Sequence, residues 1–394
     1  MSSKPNALFI QHVDTFNYHF YADHPFDQAR LHMTQDLLAR IGALQPEQMM
    51  SPASARLEAL QLIHRSDYVN AVRQLSEPLP DPDWILKAAS YGLDTDDTPY
   101  FPGMHQAASA IVGGSVAACD AVMSGRTQHA IHLGGGLHHA FPGKGAGFCV
   151  YNDASVAIAL LREQYDARVL YIDTDVHHGD GVQWSYYTDP NVMTYSIHET
   201  GKFLFPGTGF VYERGSGEGF GSCVNVPLEP YTEDESWLEC FQDTIEQVTH
   251  SFKPDIIISQ HGCDAHALDP LSHMHCSMRI YKEMPRIIHK LAHTYCEGRW
   301  VALGGGGYEI WRVVPRAWSL LWLEMTDHPL IQQLTEAPLK SIPTDWIEHW
   351  QHRSPVDLPH TWLDNVNLWE PMPRRRIIQE HNAKVKNIAL EYVR

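Results

Sequence analysis

The sequence predicts a three-layer α/β/α fold with a central, mostly parallel sheet, and three observations carry that expectation. Short, almost continuous apolar runs recur at 8–10, 130–133, 169–172, 192–196, 256–259 and 300–303. They are too short and too evenly apolar for amphipathic helices, and they read as strands buried on both faces. Stretches of helical spacing lie between them. Strands alternating with helices build a parallel sheet covered on each side, with ligands beyond the carboxyl ends of the strands.

After the first strand, a helix over 28–41 places Met33, Leu37 and Ile41 on one face and stops at Gly42. A helix over 105–123 aligns Ala108, Ile111, Ser115, Cys119 and Val122. Asn152 or Asp153 can cap a helix running to about Gln164,. A fourth helix is expected over 279–296. From about Thr326 the chain is richer in Pro and Trp, with Trp346, Trp350, Trp362 and Trp369. Residues 1–325 are therefore read as the catalytic domain, and 326–394 as an extension packed on it.

Composition narrows the function. The 394 residues are 44% hydrophobic and 19% charged, enough for a sizeable core,. Acidic residues number 47 against 29 basic, a net charge of −18, which repels nucleic acid,. The arginines at 374–376 form the one basic cluster of note and read as a solvated or packing segment,. Seven cysteines without CxxC pairing point to reduced thiols and a cytoplasmic setting,. No apolar run approaches the roughly 18 residues of a membrane span, and the first residues lack the apolar core of a signal peptide.

The chemistry gathers in four segments. In RVLYIDTDVHHGDG at 168–181, a buried strand runs straight into Asp173, Asp175, His177, His178 and Asp180. Alternate residues of an extended chain share a face, so Asp173, Asp175 and His177 can point the same way. In IIISQHGCD at 256–264, Asp264 also sits just past a strand end. Two carboxylates and one imidazole make a three-ligand catalytic metal site. Zinc suits it, and Fe(II) or Co(II) would also fit. Asp269, followed by Pro270, reads as a turn former. In LGGGLHH at 133–139, glycines let the backbone approach a ligand, and His138 and His139 supply acid–base groups,. Asp173 and Asp180 are the carboxylates free to orient them. LGGGGY at 303–308 is no P-loop, and Tyr308 can swing its hydroxyl toward an oxyanion,.

Taken together with SIHETGKFLFPGTG at 196–209, these segments resemble the histone deacetylase family of zinc hydrolases in the arginase/deacetylase fold, over roughly residues 8 to 325. The resemblance implies that Asp175, His177 and Asp264 bind zinc. It implies that His139 is general base and acid, that His138 is its electrostatic partner, and that Asp180 and Asp173 orient them respectively. Tyr308 would polarise the amide carbonyl of an acetylated lysine. Phe148 and Phe205 would wall the substrate passage, Gly306 and Leu271 would line it, Asp97 would grip the substrate backbone, and Arg30 would stand near the acetate exit. Potassium is implied at Asp173, Asp175, His177, Ser196 and Ile197, and again at Tyr186, Asp189, Val192 and Ser222. His261 and Cys263 depart from the usual family residues without removing a ligand. No corepressor-recruiting tail is present, so no chromatin role is implied. The rivals are an arginase-like enzyme with two manganese ions, a hydrolase of small acetylated polyamines, and a non-catalytic acetyl-lysine reader or structural protein. Retention of both histidines and Tyr308 speaks against the reader and the structural protein.

Overall fold

The computed structural model describes residues 6–393. Eight strands form one sheet: β1 (Ala7–Ile10), β2 (Met49–Met50), β3 (His129–His132), β4 (Val169–Asp173), β5 (Val192–Glu199), β6 (Cys223–Leu228), β7 (Ile256–Gln260) and β8 (Trp300–Leu303). Their order is β2-β1-β3-β8-β7-β4-β5-β6, and every pairing is parallel. The helices before the middle of the chain are α1 (Ala29–Arg40), α2 (Leu57–Leu60), α3 (Ser66–Leu75), α4 (Pro82–Ala88), α5 (Met104–Met123), α6 (Asp153–Tyr165) and α7 (Asp180–Ser185). Those after it are α8 (Asp234–Phe252), α9 (Met278–Tyr295), α10 (Val314–Met325), α11 (Pro329–Glu336), α12 (Thr344–Gln351) and α13 (Arg375–Leu390).

The strand residues alternate between two cores, because successive side chains leave a strand on opposite faces. Phe9, Ile131, Leu170, Ile172, Ile257 and Ala302 pack toward α1, α8, α9 and α10. Leu8, Ala130, Val169, Tyr171, Ile258 and Val301 pack toward α5, α6 and α7. Each large aliphatic side chain buried this way contributes about 1.5–3 kcal/mol, which explains why the strands are apolar throughout. A third cluster, with Tyr18, Phe26, Tyr68 and Phe101, backs Phe148.

All six expected strands and four expected helices form, with ends shifted by a few residues at most. The structure adds edge strands β2 and β6; the first has two residues, and the second carries Asn225 and Pro227, which break an apolar pattern. The helix α5 is long and apolar enough to pass for a membrane span, although no such run stands out in the sequence. It is mostly buried, and it packs on β3 and α6 as a core helix. Trp346, Trp350 and Trp362 join the same core cluster as α1 and α10, and α13 packs on α8 and β6.

Candidate active site

β3, β8, β7 and β4 are neighbours at the centre of the sheet, and the segments bearing the candidate residues leave from their carboxyl ends. There Asp175, His177 and Asp264 converge. His177 Nδ1 lies 3.2 Å from Asp175 Oδ1 and 3.1 Å from Asp264 Oδ2. Asp264 Oδ1 accepts from the Val176 N–H at 2.9 Å. Asp175 Oδ2 accepts from the Gly306 N–H at 2.8 Å and from Gln260 Nε2 at 2.7 Å. Gly306 cannot carry a side chain, since a Cβ there would stand 2.1 Å from Asp264 Oδ2. Burial, and then the charge of Asp175, push the Asp264 carboxyl up to about 6. Burial opposes charge on His177, yet its hydrogen bonds to both carboxylates raise it to about 10. A divalent cation answers this excess of buried negative charge by taking the place of the shared proton. The three buried side chains present ligand atoms within 4.8 Å of one another, so the residues fit a metal.

The histidine pair sits on the loop after β3. His138 Nδ1 is 2.7 Å from Asp173 Oδ2, and His139 Nδ1 is 2.7 Å from Asp180 Oδ1. Their Nε2 atoms meet at 2.9 Å, so one ring donates to the other. Burial opposes charge on His138, but Asp173, Asp175 and Asp180 overcome it and raise its pKa to about 9. Burial, and then the cationic His138, lower His139 to about 4. His138 is therefore the donor, and His139 is the neutral ring with the lone pair. Asp173 ends β4 and turns to His138, so only Asp175 and His177 of the three alternating residues face Asp264.

Tyr308 follows the glycine run after β8. Its ring stands edge-on to Phe148 at 5.6 Å, and its hydroxyl makes no hydrogen bond among the described residues. Burial, and then the nearby Asp264 and Asp175, hold the phenol well above its usual pKa. Phe205 stands on the other side, 5.0 Å from His139, and is half-exposed. A Cβ on Gly147 would reach both His139 and Phe205, so the two rings border one space. Asp97 is exposed at the rim, and the neighbouring Thr98 Oγ1 accepts from the Phe148 N–H at 3.1 Å. Arg30 is buried, lies over the Phe26 and Trp318 rings, and donates to the Gly307 carbonyl at 3.1 Å. Leu271 is partly buried, and its N–H bonds to Asp269 Oδ1 at 3.0 Å.

The residues expected around potassium fall into two groups. Asp173 pairs with Ser196 in the β4–β5 register, next to Ile197, Asp175 and His177. Ser222 Oγ donates to the Asp189 carbonyl at 3.1 Å, and the Asp189 N–H bonds to the Tyr186 carbonyl at 3.0 Å, with Val192 following.

Residues 24–325 match the model of the histone deacetylase domain. The chain belongs to the histone deacetylase family. It is 49% identical over 390 residues to the acetoin utilization protein AcuC of Bacillus subtilis, covering 99% of this chain and 98% of that protein. It is 48% identical to AcuC of Staphylococcus aureus strain MRSA252, covering 93% and 92% respectively. A crystal structure of an HDAC homolog complexed with SAHA superposes with a TM-score of 0.83 at 27% identity, over 97% of this chain and all of that one. An HDAC homolog from Aquifex aeolicus gives 0.82 at 26% identity, over 97% of this chain and 100% of that one. The fold is accordingly that of the histone deacetylases, a metal-dependent hydrolase family.

Four residues of this deacetylase site escape a reading of the sequence. Gln260 bonds both Asp175 and the Gly136 carbonyl. Asp153 accepts from the Gly136 and Leu137 N–H groups at 3.0 and 2.8 Å and so shapes the loop bearing the histidines; Asn152 is the cap of α6, accepting from the Ser155 N–H. The Tyr171 hydroxyl donates to Asp173 at 2.9 Å. Asp269 is more than a turn former: besides Leu271, it accepts from the Tyr308 N–H at 2.7 Å. A polar residue that closes a strand or opens a helix was the available signal. His261 is structural, bonding Ser259 Oγ at 2.7 Å, with its carbonyl accepting from Trp318.

Proposed function

We propose that this chain hydrolyses the acetyl-amide of acetyl-lysine in proteins, releasing lysine and acetate, with one ion held by Asp175, His177 and Asp264. The observation that carries the reading is the convergence of those three ligands, beside a neutral His139 and a Tyr308 hydroxyl without a hydrogen bond among the described residues. Zinc suits two carboxylates and an imidazole, with Fe(II) or Co(II) as alternatives. When bound, the ion lowers the pKa of water and polarises the amide carbonyl. His139, oriented by Asp180, takes the proton of the attacking water at Nε2, where the water displaces the His138 N–H, and hands the proton to the leaving lysine amine,. His138, oriented by Asp173, keeps its proton and stabilises negative charge. Tyr308 donates to the developing oxyanion, a contribution of about 3 kcal/mol. Phe148 and Phe205 sandwich the lysine methylenes, Gly306 and Leu271 line the passage, and Asp97 at the rim grips the substrate backbone. Arg30, a buried guanidinium with no carboxylate hydrogen-bonded to it among the described residues, suits an acetate leaving the site. Potassium at the two groups of residues around β4 and β5 would firm the backbone beneath the ligands.

The names of the relatives support a link to acetoin and acetate metabolism. Seven buried, unpaired thiols suit a reducing cytoplasm,. Residues 326–394 form an extension packed on the catalytic domain of residues 1–325. A fluorogenic acetyl-lysine peptide tests the reading: the purified enzyme cleaves it, and the Asp264→Ala variant keeps its fold but loses both metal and activity. Turnover of arginine, agmatine or acetylpolyamines without turnover of acetyl-lysine would overturn the substrate class.

A further inference from the structure

We propose a second metal site, distinct from the deacetylase centre, in which His129, His289 and His293 bind a divalent transition ion of the zinc type. His129 opens β3 at its amino end, whereas the catalytic loop leaves that strand at its carboxyl end. The site therefore lies at the opposite end of the strand from the catalytic residues. His289 and His293 are four residues apart on α9, which brings their rings onto one helical face,. The side chain of His129 leaves β3 toward the same layer, two residues before Ile131,.

The three Nε2 atoms gather around one point. His289 Nε2 is 3.3 Å from His129 Nε2 and 3.1 Å from His293 Nε2. Zinc–nitrogen bonds of about 2.0–2.1 Å at tetrahedral angles separate their donors by about 3.3 Å, so these two distances match donors on one ion. Hydrogen bonding accounts for it less well. An imidazole nitrogen carries either one N–H or one lone pair, so His289 Nε2 bonds only one of its two neighbours at a time. An ion engages all three lone pairs at once.

The surroundings fit a ligand set. Glu324 of α10 is buried, and its Oε1 lies 3.2 Å from His289 Nδ1. A carboxylate that receives Nδ1–H fixes the tautomer, leaves the Nε2 lone pair for a metal, and raises its basicity. His289 and His129 both pack on Trp300, with ring centroids 5.5 and 5.9 Å away, which holds the rings in place. His293 is exposed and gives the ion a route in and an open position for water. Three imidazoles select zinc, copper, nickel or cobalt over calcium and magnesium. Bound there, the ion staples α9, and through Glu324 also α10, to the amino end of β3.

Metal counting tests the site. Chelator-stripped enzyme titrated with zinc takes up two equivalents per chain. The His293→Ala variant, altered at an exposed position, takes up one and deacetylates at the wild-type rate. The Asp264→Ala variant takes up one and is inactive, but zinc still raises its Tm; in the double variant that rise disappears. Anomalous diffraction from the zinc-loaded protein places a peak among the three Nε2 atoms. One equivalent in the wild type, or two retained by His293→Ala, would overturn the proposal. Two equivalents lost together in Asp264→Ala would also overturn it, because both ions would then belong to the catalytic centre.

Discussion

In the proposed mechanism the Tyr308 hydroxyl acts on the amide carbonyl, and it makes no hydrogen bond among the described residues. Tyr308→Phe removes that donor and almost no volume. The kcat for an acetyl-lysine peptide should fall roughly 10²–10³-fold, with metal content and Tm unchanged. Near-wild-type kcat at saturating substrate would remove the tyrosine from the reaction. His138 and His139 differ in environment more than in sequence. Burial first, and then the positive charge of His138, hold His139 near 4. His138→Gln deletes that charge, so the pKa of His139 rises toward the ordinary value of about 6.5. A base acts only while unprotonated; the acid limb of kcat/KM therefore moves to higher pH in the variant. A limb that stays in place, or moves lower, contradicts the division of labour between the two rings.

At the scale of elements, the turn after β7 and the glycine run after β8 are joined by one carboxylate. Asp269 receives backbone N–H groups from Leu271, Tyr308 and Glu309. Burial, and then Asp264, push it up to about 8. Removing it frees the segment that aims Tyr308, and misplacement by about 1 Å can cost 10²-fold in rate. Asp269→Ala should lose roughly that factor in kcat while keeping its metal and KM, and Asp269→Asn, which retains an acceptor, should recover part of it. If Asp269→Ala instead sheds the metal, the residue supports the ligands and not the tyrosine. The Asp-Pro dipeptide announces the turn to Leu271. The bond to Tyr308 spans 39 positions and leaves no trace in local spacing.

Across the whole molecule, the carboxyl-terminal segment is tied to the deacetylase core by Asp364. It accepts from Arg316 Nη1 at 2.9 Å and from the Met278 N–H at 2.8 Å, and it pairs with His266 at 2.9 Å. Burial opposes its charge, but His266 and Arg316 hold its carboxyl well below the usual range. Asp364→Asn leaves the buried Arg316 without a counter-charge, at a cost of about 3–5 kcal/mol, read as a lower Tm at pH 7. The folded pKa is depressed, so the carboxylate's contribution is complete above its unfolded pKa and fades as pH falls through the folded one. The gap between wild type and variant should therefore begin to narrow below about pH 4 and close as pH falls through the folded pKa. A gap that persists there would mean that packing, not charge, holds the segment. Trp346 adds to the same attachment, donating from Nε1 to the Met33 carbonyl at 3.1 Å.

Six strands followed from apolar runs alone, because a strand buried on both sides has to be apolar throughout. The same logic made the site legible: five metal-capable side chains within eight residues, directly after such a run, leave little else for them to do. Residue chemistry and strand ends thus determined the class of site, and the motif combination determined the family. Tertiary structure decided which groups meet. It sent Asp173 to His138 instead of the ligand cluster, gave Asp175 the amide of Gln260, and set Asp269 beneath Tyr308. It also brought His129 against two histidines of α9 that lie 160 and 164 positions later in the chain. Periodicity reports how each segment faces the core. Distances between side chains from different segments depend on sheet order and helix packing, which are properties of the assembled molecule.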